Sequence, residues 1–307
     1  MASSSIQESS KTGAFTAFDY VLYAVTVGSW SVSWYALSLQ PGAVANEVSL
    51  VYRFVIASAV MLVWCLLKGE TLWFAPRQHV SFIATGIFIF STNFLLFYYG
   101  SSYVVSGLLS VIFSLASLTN IFLAALIFRE RPNLRIVAAA CLGACGIALL
   151  FWPEMSNQGL ESGVLIGLAL CMAGTLCFSI GSLLSSRMQG GQSKVPLVAA
   201  NTWGMIYGAL WCALLALAQG KSFNWDPRPE YAYSLVFLAL VSTVLAFAGY
   251  LTLVKRIGPG RAGYATVVFP IFALLVSTFV EDYQWTFAAF AGLAFVIVGN
   301  VVVMRGR

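Results

Sequence analysis

Arg53 is the one basic residue set deep inside an apolar run of this sequence, about nine residues from the nearer end of the run 44–67. A charge in such a place costs at least ~2.5–3.5 kcal/mol unless something compensates it. A guanidinium there can clamp a carboxylate through two parallel hydrogen bonds. It can also serve the structure alone, bonding carbonyls of a neighbouring helix or snorkelling to the surface. Carboxylates stand nowhere comparable: Asp19, Glu47, Glu161, Glu281 and Asp282 all fall at the ends of apolar runs. A buried chain of acids able to relay protons is therefore missing, which favours passage of a solute down its own gradient. One buried cation also disfavours phosphorylated solutes, whose dianions call for several Lys or Arg.

The remaining chemistry is aromatic and amide. Trp30 and Trp34 are four apart and share a helix face. Phe90, Asn93 and Phe97 form one stripe, and Thr243, Phe247 and Tyr250 form another. Phe178, Tyr264 and Phe269 lie inside later runs. Such rings with a few amides and hydroxyls would line a cavity for a neutral, ring-bearing solute. Taken singly, the same residues would serve as packing or lipid-facing aromatics, and Trp73, Trp225 and Trp285 suit an interfacial belt. The six cysteines lie within apolar runs; Cys141 and Cys145 are four apart, but the single histidine, His79, sits at a run end away from them. They read as small buried thiols, and neither metal nor cofactor is expected. HExxH and GxSxG motifs are absent, so an enzyme is not expected either.

The elements that hold these residues follow from composition. The chain has 307 residues, 60% of them hydrophobic and 9% charged, with mean hydropathy +0.88; soluble domains average about 25% charged. The net charge of +5 is poor support for a nucleic-acid partner, and the lipid bilayer is the partner expected. Ten runs reach the ~20 residues that a bilayer core requires: roughly 17–39, 44–67, 80–100, 103–127, 134–152, 160–186, 195–218, 231–253, 260–280 and 284–304. The polar start, residues 1–16, lacks the short apolar core and cleavage site of a signal peptide and reads as a cytoplasmic tail, so the first run should persist in the mature protein. Ten crossings place Lys11, Lys68, Arg77, Arg129, Arg131, Arg135, Arg187, Lys194, Lys255, Arg256, Arg261, Arg305 and Arg307 on one side, against Lys221 and Arg228 on the other. The positive-inside rule then puts both termini in the cytoplasm.

A shift of 151 residues superposes the two halves: Gly69 on Gly220, Pro76 on Pro227, Ser91-Thr92 on Ser242-Thr243, Gly107 on Gly258, Glu130 on Glu281. Five runs per half is an odd number, so the second copy enters from the opposite face. The expected fold is an all-α integral membrane protein of ten transmembrane helices in two five-helix inverted-topology repeats, 17–152 and 160–304. Inverted repeats of this kind build carriers that alternate between two openings around a midplane site. Gly163/Gly167, Gly204/Gly208 and the stripe Ser106, Ser110, Ser114, Ser117 read as close-packing motifs.

These residues carry a resemblance. Ser49-Leu50-Val51-Tyr52-Arg53-Phe54 in the second run, Phe269-Pro270 in the ninth, and Glu130 and Glu281 closing the fourth and ninth resemble the drug/metabolite transporter superfamily, EamA type. Ala139 and Gly146, then Gly292 and Gly299, each pair seven apart, are similar to that family's spacing after its Glu. The fourth run has no Pro where the ninth has Pro270. Within the superfamily the chain most resembles the bacterial aromatic amino acid exporters. The resemblance implies a multi-pass inner-membrane exporter of neutral, above all aromatic, amino acids, with helices 1, 3, 4, 6, 8 and 9 around the path and helix 2 outside it. A monomer moving by alternating access, with pivots near Gly107 and Gly258, is the expected unit. A multidrug or other small-metabolite exporter, or a channel, would share much of this pattern. Single cysteines at positions 157 and 224 should label from outside intact cells while one at 190 is protected; labelling at 190 alone overturns the orientation.

Overall fold

A computed structural model describes residues 16–128, 134–158, 163–189 and 195–305, and every regular element among them is helical. The tail before residue 16, the stretch holding Arg129, Glu130 and Arg131, and also Glu161, position 190, Lys194 and Arg307 lie outside the described residues. The helical runs are α1 (Ala17–Ser38), α2 (Asn46–Leu67), α3 (Pro76–Gly100), α4 (Ser106–Ile127), α5 (Leu134–Gln158), α6 (Val164–Gln189), α7 (Leu197–Ala218), α8 (Pro229–Ile257), α9 (Arg261–Val280) and α10 (Phe287–Arg305). Seven of them, α2, α3, α4, α6, α7, α8 and α9, are long and apolar enough to cross a membrane. Shorter apolar stretches occupy α5 at Val137–Pro153 and α10 at Phe287–Val302. The outside of the bundle is greasy, with Trp73, Phe287, Phe279 and Leu67 more than four-fifths exposed. Such a surface suits lipid, and helices suit lipid because they satisfy their own backbone.

Local chemistry sets the ends. Thr16 and Asp19 exchange hydrogen bonds across the first turn of α1, a capping box. Arg256 Nε, at the end of α8, reaches the same carboxylate at 2.5 Å. Inside the bundle, hydroxyls fold back on their own helices: Thr202 donates to Val198 O, Thr175 to Cys171 O and Thr252 to Ala248 O. That leaves few polar atoms facing an apolar medium.

Lipid tails are as apolar as leucine, so helices must be held by close contact. α5 and α10 do this through small residues. A Cβ on Gly146 would lie 2.7 Å from Gly292 O, and one on Gly292 would lie 2.6 Å from Gly146 O. Gly299 sets its face 2.9 Å from Ala139 O by the same measure. The two seven-residue spacings in the sequence thus interlock as an antiparallel pair. α3 and α7 repeat the device, with Gly86 against the backbone of Gly204 and Gly208. Gly163 and Gly167 receive the Tyr103 side chain. The Ser106–Ser117 stripe splits: Ser106 bonds α9, Ser117 donates to Asn300 Oδ1 of α10 at 2.5 Å, and Ser110 and Ser114 bond carbonyls of α4 itself.

Four interruptions shape the centre. α3 widens to a π turn at Phe88–Thr92 and α8 does so at Phe237–Leu245, a deviation that often marks functional places. α4 breaks at Leu115 and α9 at Tyr264. Pro270, by contrast, lies inside a continuous helix, Ala265–Val280.

Gly146→Ala and Gly292→Ala should each lower the melting temperature in detergent, because the helices must separate to admit a methyl; overpacking of this kind costs about 1–3 kcal/mol. Gly28→Ala, whose Cβ would meet nothing within 4 Å, should leave melting unchanged. Equal melting of all three defeats the account.

Candidate functional site

Rings from six helices converge on Trp34. Trp30 and Trp34, one turn apart on α1, meet Phe269 of α9 at 6.2 and 6.3 Å between ring centroids; the second pair is stacked, with 10° between planes. Trp34 also meets Phe97 of α3 at 5.1 Å and Phe113 of α4 at 5.5 Å. Phe113 continues to Phe178 of α6 at 4.9 Å, and Trp30 to Tyr250 of α8 at 5.2 Å. Edge-to-face and offset pairs in this range are favourable beyond mere burial. The contributing helices are the six that the resemblance places around a central path. Trp34, Phe97 and Phe269 are each at most 7% exposed, while Trp30, Phe113, Phe178 and Tyr250 are partly buried.

Five of the ring residues picked out in the sequence therefore meet: Trp30, Trp34, Phe97, Phe178 and Phe269. Phe113 is the residue that sequence reasoning missed, although it is the link from α1 and α3 to α6; its place beside the serine stripe of α4 was the available signal. Tyr250 is the one member of its stripe to reach the cluster. Phe90 does not join. It sits inside the π turn Phe88–Thr92, and its ring packs on Phe54 at 5.8 Å and against Gly204 of α7. Asn93 is buried; its amide donates to Ile89 O at 3.0 Å, while its Oδ1 has no partner. Phe247 and Tyr264 are half-buried, and no described ring contact ties them to the cluster.

Thr243 has a different neighbour. Its hydroxyl donates to Leu238 O, five residues back in the π turn, and accepts from Arg53 Nε at 3.3 Å and Nη2 at 3.1 Å. Arg53 is 3% exposed. Its guanidinium lies 4.4 Å from the centroid of the Phe94 ring and 5.3 Å from that of Phe54, contacts that partly replace hydration. The arginine bonds a side-chain hydroxyl, so it neither snorkels outward nor caps carbonyls.

A separate knot closes the junction of α4 and α9. Glu281 accepts from the Ser106 hydroxyl at 2.6 Å, the Ser277 hydroxyl at 2.5 Å and the Ser106 backbone N–H at 3.1 Å. The Gly107 N–H donates to Ser277 Oγ at 2.7 Å. An acid here suits the positive end of α4. At the start of α2, Glu47 is 1% exposed and accepts from the Tyr99 hydroxyl at 2.5 Å.

An all-helical bundle with a buried ring cluster and an intramembrane arginine matches known sequences over nearly its whole length. The EamA-like transporter family matches residues 18–152 and 165–305. The chain belongs to that family. It is a multi-pass membrane protein of a transporter family, and several of its relatives carry transporter names. An uncharacterized transporter of Archaeoglobus fulgidus is 24% identical over 293 residues, covering 94% of this chain and 99% of that one. An uncharacterized inner membrane transporter of Escherichia coli, YedA, is 22% identical over 83% of this chain and 80% of its own length. A protein of Escherichia coli named as a probable amino-acid metabolite efflux pump is 20% identical over 66% and 69%. One crystal structure superposes with a TM-score of 0.65 at 18% identity, covering 94% of this chain and 96% of that one, which supports the fold.

Trp34→Ala opens a void among three other rings and should lower stability by about 3 kcal/mol, while Trp34→Phe should recover most of it. Phe113→Ala should do the same and uncouple Phe178 from Trp34. Unchanged melting in both alanine variants would mean that the cluster is not a packed unit.

Proposed function

We propose that this protein exports neutral amino acids, aromatic ones foremost, by alternating access through ten membrane crossings built as two five-helix inverted repeats. The ring cluster carries the reading. Trp34 and its neighbours offer flat apolar faces with a few hydroxyl and amide groups nearby, the chemistry that receives an aromatic side chain. Their packing against one another supports a carrier, which must separate the rings to admit a solute.

Several features support the repeats. Shifted by 151 residues, the π turn Phe88–Thr92 falls on Ala239–Thr243, within the second π turn. Gly69 and Gly220, equivalent under that shift, both take left-handed φ, +64° and +65°. Contacts between the halves come in exchanged pairs: α1 packs on α9 as α6 on α4, α1 on α8 as α6 on α3, and α2 on α8 as α7 on α3. α2 with α7, α4 with α9, and α5 with α10 map onto themselves. The two stretches matched by the family fall on the same halves. Two similar halves of opposite orientation give inward- and outward-open forms of comparable energy.

The distribution of Lys and Arg supports cytoplasmic termini, and the YedA relative's name supports an inner-membrane location. The efflux pump relative supports an amino-acid metabolite as cargo and the outward direction. The proposed unit is a monomer, since each copy would enclose half the path.

The deciding experiment is counterflow in proteoliposomes loaded with unlabelled phenylalanine. Labelled phenylalanine and tryptophan should enter saturably and compete with each other, with slower entry in Trp34→Ala. If neither moves nor competes while a planar cationic drug does, the protein is a multidrug exporter of the same superfamily.

A further inference from the structure

We infer that Arg53, with Thr243 and Tyr98, forms a carboxylate-binding site that takes the acid group of the transported solute. The inference rests on the proposed transport of an amino acid and adds the group by which the solute is held.

A guanidinium carries five N–H donors and no acceptor. At Arg53 two of its nitrogens share a single acceptor, the Thr243 hydroxyl, and Nη1 makes no hydrogen bond of normal geometry. Arg53 makes no ion pair among the described residues, where the two ion pairs are Arg228–Asp226 and Arg256–Asp19. The nearest acid on its own helix, Glu47, is six residues away, about 9 Å along the axis, and it already accepts from Tyr99 and Gln219. The buried Tyr98 hydroxyl lies close enough to the same guanidinium to interact with it, yet it makes no hydrogen bond of normal geometry. Unpaired donors on a buried cation and on a buried phenol beside it are costly to leave empty. Nη1 can only donate, while the phenol can donate as well as accept, so an acceptor placed between them would satisfy both, and the net charge calls for an anion. A carboxylate supplies two oxygens in the plane that a guanidinium fork matches.

The shift that relates the halves sets a contrasting junction beside this arginine. Arg53 falls on Gly204, and Thr243 falls on Thr92. Where α7 meets α3, the Phe90 ring fills the space against Gly204. One half therefore solves the same helix contact with a glycine and a phenyl ring, while the other holds a buried charge. α2 and α8 bring Arg53 and Thr243 together through the π turn, whose widened backbone lets Thr243 spend its proton on Leu238 O and present lone pairs to the guanidinium. Phe94, one face of the arginine's aromatic sandwich, is three residues from Phe97 on α3 and packs on the same core as the ring cluster.

Melting of the purified, detergent-solubilised full chain separates the acid from the ring. The wild type should be stabilised by phenylalanine and by phenylacetate, which keeps the acid and lacks the amine, and not by phenethylamine, which lacks the acid. Arg53→Met, close in length and uncharged, should weaken both carboxylates by about ten-fold or more, the worth of a hydrogen bond to a charged group, and leave phenethylamine unaffected. Tyr98→Phe and Thr243→Val, which keep shape and lose only hydroxyls, should weaken the same two ligands by a smaller factor and serve if Arg53→Met does not fold. The inference is overturned if phenethylamine stabilises as well as phenylalanine, or if all three variants keep the wild-type preference for carboxylates. If leucine stabilises in an Arg53-dependent way while no aromatic acid does, the carboxylate site stands and the aromatic assignment fails.

Discussion

A bilayer interior gives helices no hydrophobic reason to associate, and this fold depends on the substitute: backbones brought close enough for dense contact. The Gly146–Gly292 crossing sets α5 and α10 nearly backbone to backbone, and the Gly86–Gly204–Gly208 contact does the same for α3 and α7. With these pairs fixed by small residues, the large side chains are free to gather elsewhere. They gather between α1, α3, α4, α6, α8 and α9, where Trp34 stands against Phe97, Phe113 and Phe269. Thin seams at the periphery and a thick aromatic centre are two sides of one distribution of volume.

Polar groups follow the same medium. Serine and threonine hydroxyls fold onto their own carbonyls, Asn300 links α10 to the serines of α4, and Glu281 spends both oxygens at the start of α4. Among the buried polar atoms without a hydrogen bond, Arg53 Nη1 and the Tyr98 phenol are distinguished by lying side by side. A solute's acid group in that place would satisfy them together, which ties the chemistry of recognition to the energetics of the fold.

Much of this was legible in the residues. Trp30, Trp34, Phe97, Phe178 and Phe269 were recognisable as a candidate wall, and the seven-residue spacings of Ala139/Gly146 and Gly292/Gly299 stood out as a family-like pattern, although only the fold shows that they make a close crossing. Spacing survives as a signal because helical periodicity does not depend on polarity. Which face points inward was not legible, because these helices are apolar all round and a polar stripe no longer marks the outside. Phe113 escaped notice for that reason. Phe90 and Thr243 were displaced for another: each sits in a π turn, and a local widening of the helix breaks the extrapolation of a face from one turn to the next. The partner of Arg53 was also invisible, since Arg53 and Thr243 are far apart in sequence and only the fold joins them.

The widened turns of α3 and α8 would work as screws of variable pitch if they tightened into α-helix. Each holds one residue more than the α-helix it interrupts, and that residue is worth about 100° of rotation. Tightening the turn in α3 would swing Phe97 and Tyr98 about the axis together; tightening the one in α8 would swing Tyr250 and carry Thr243 with it. Ring contacts and the arginine's neighbours would then separate in a single twist, without either end of the helix leaving its place in the membrane surface.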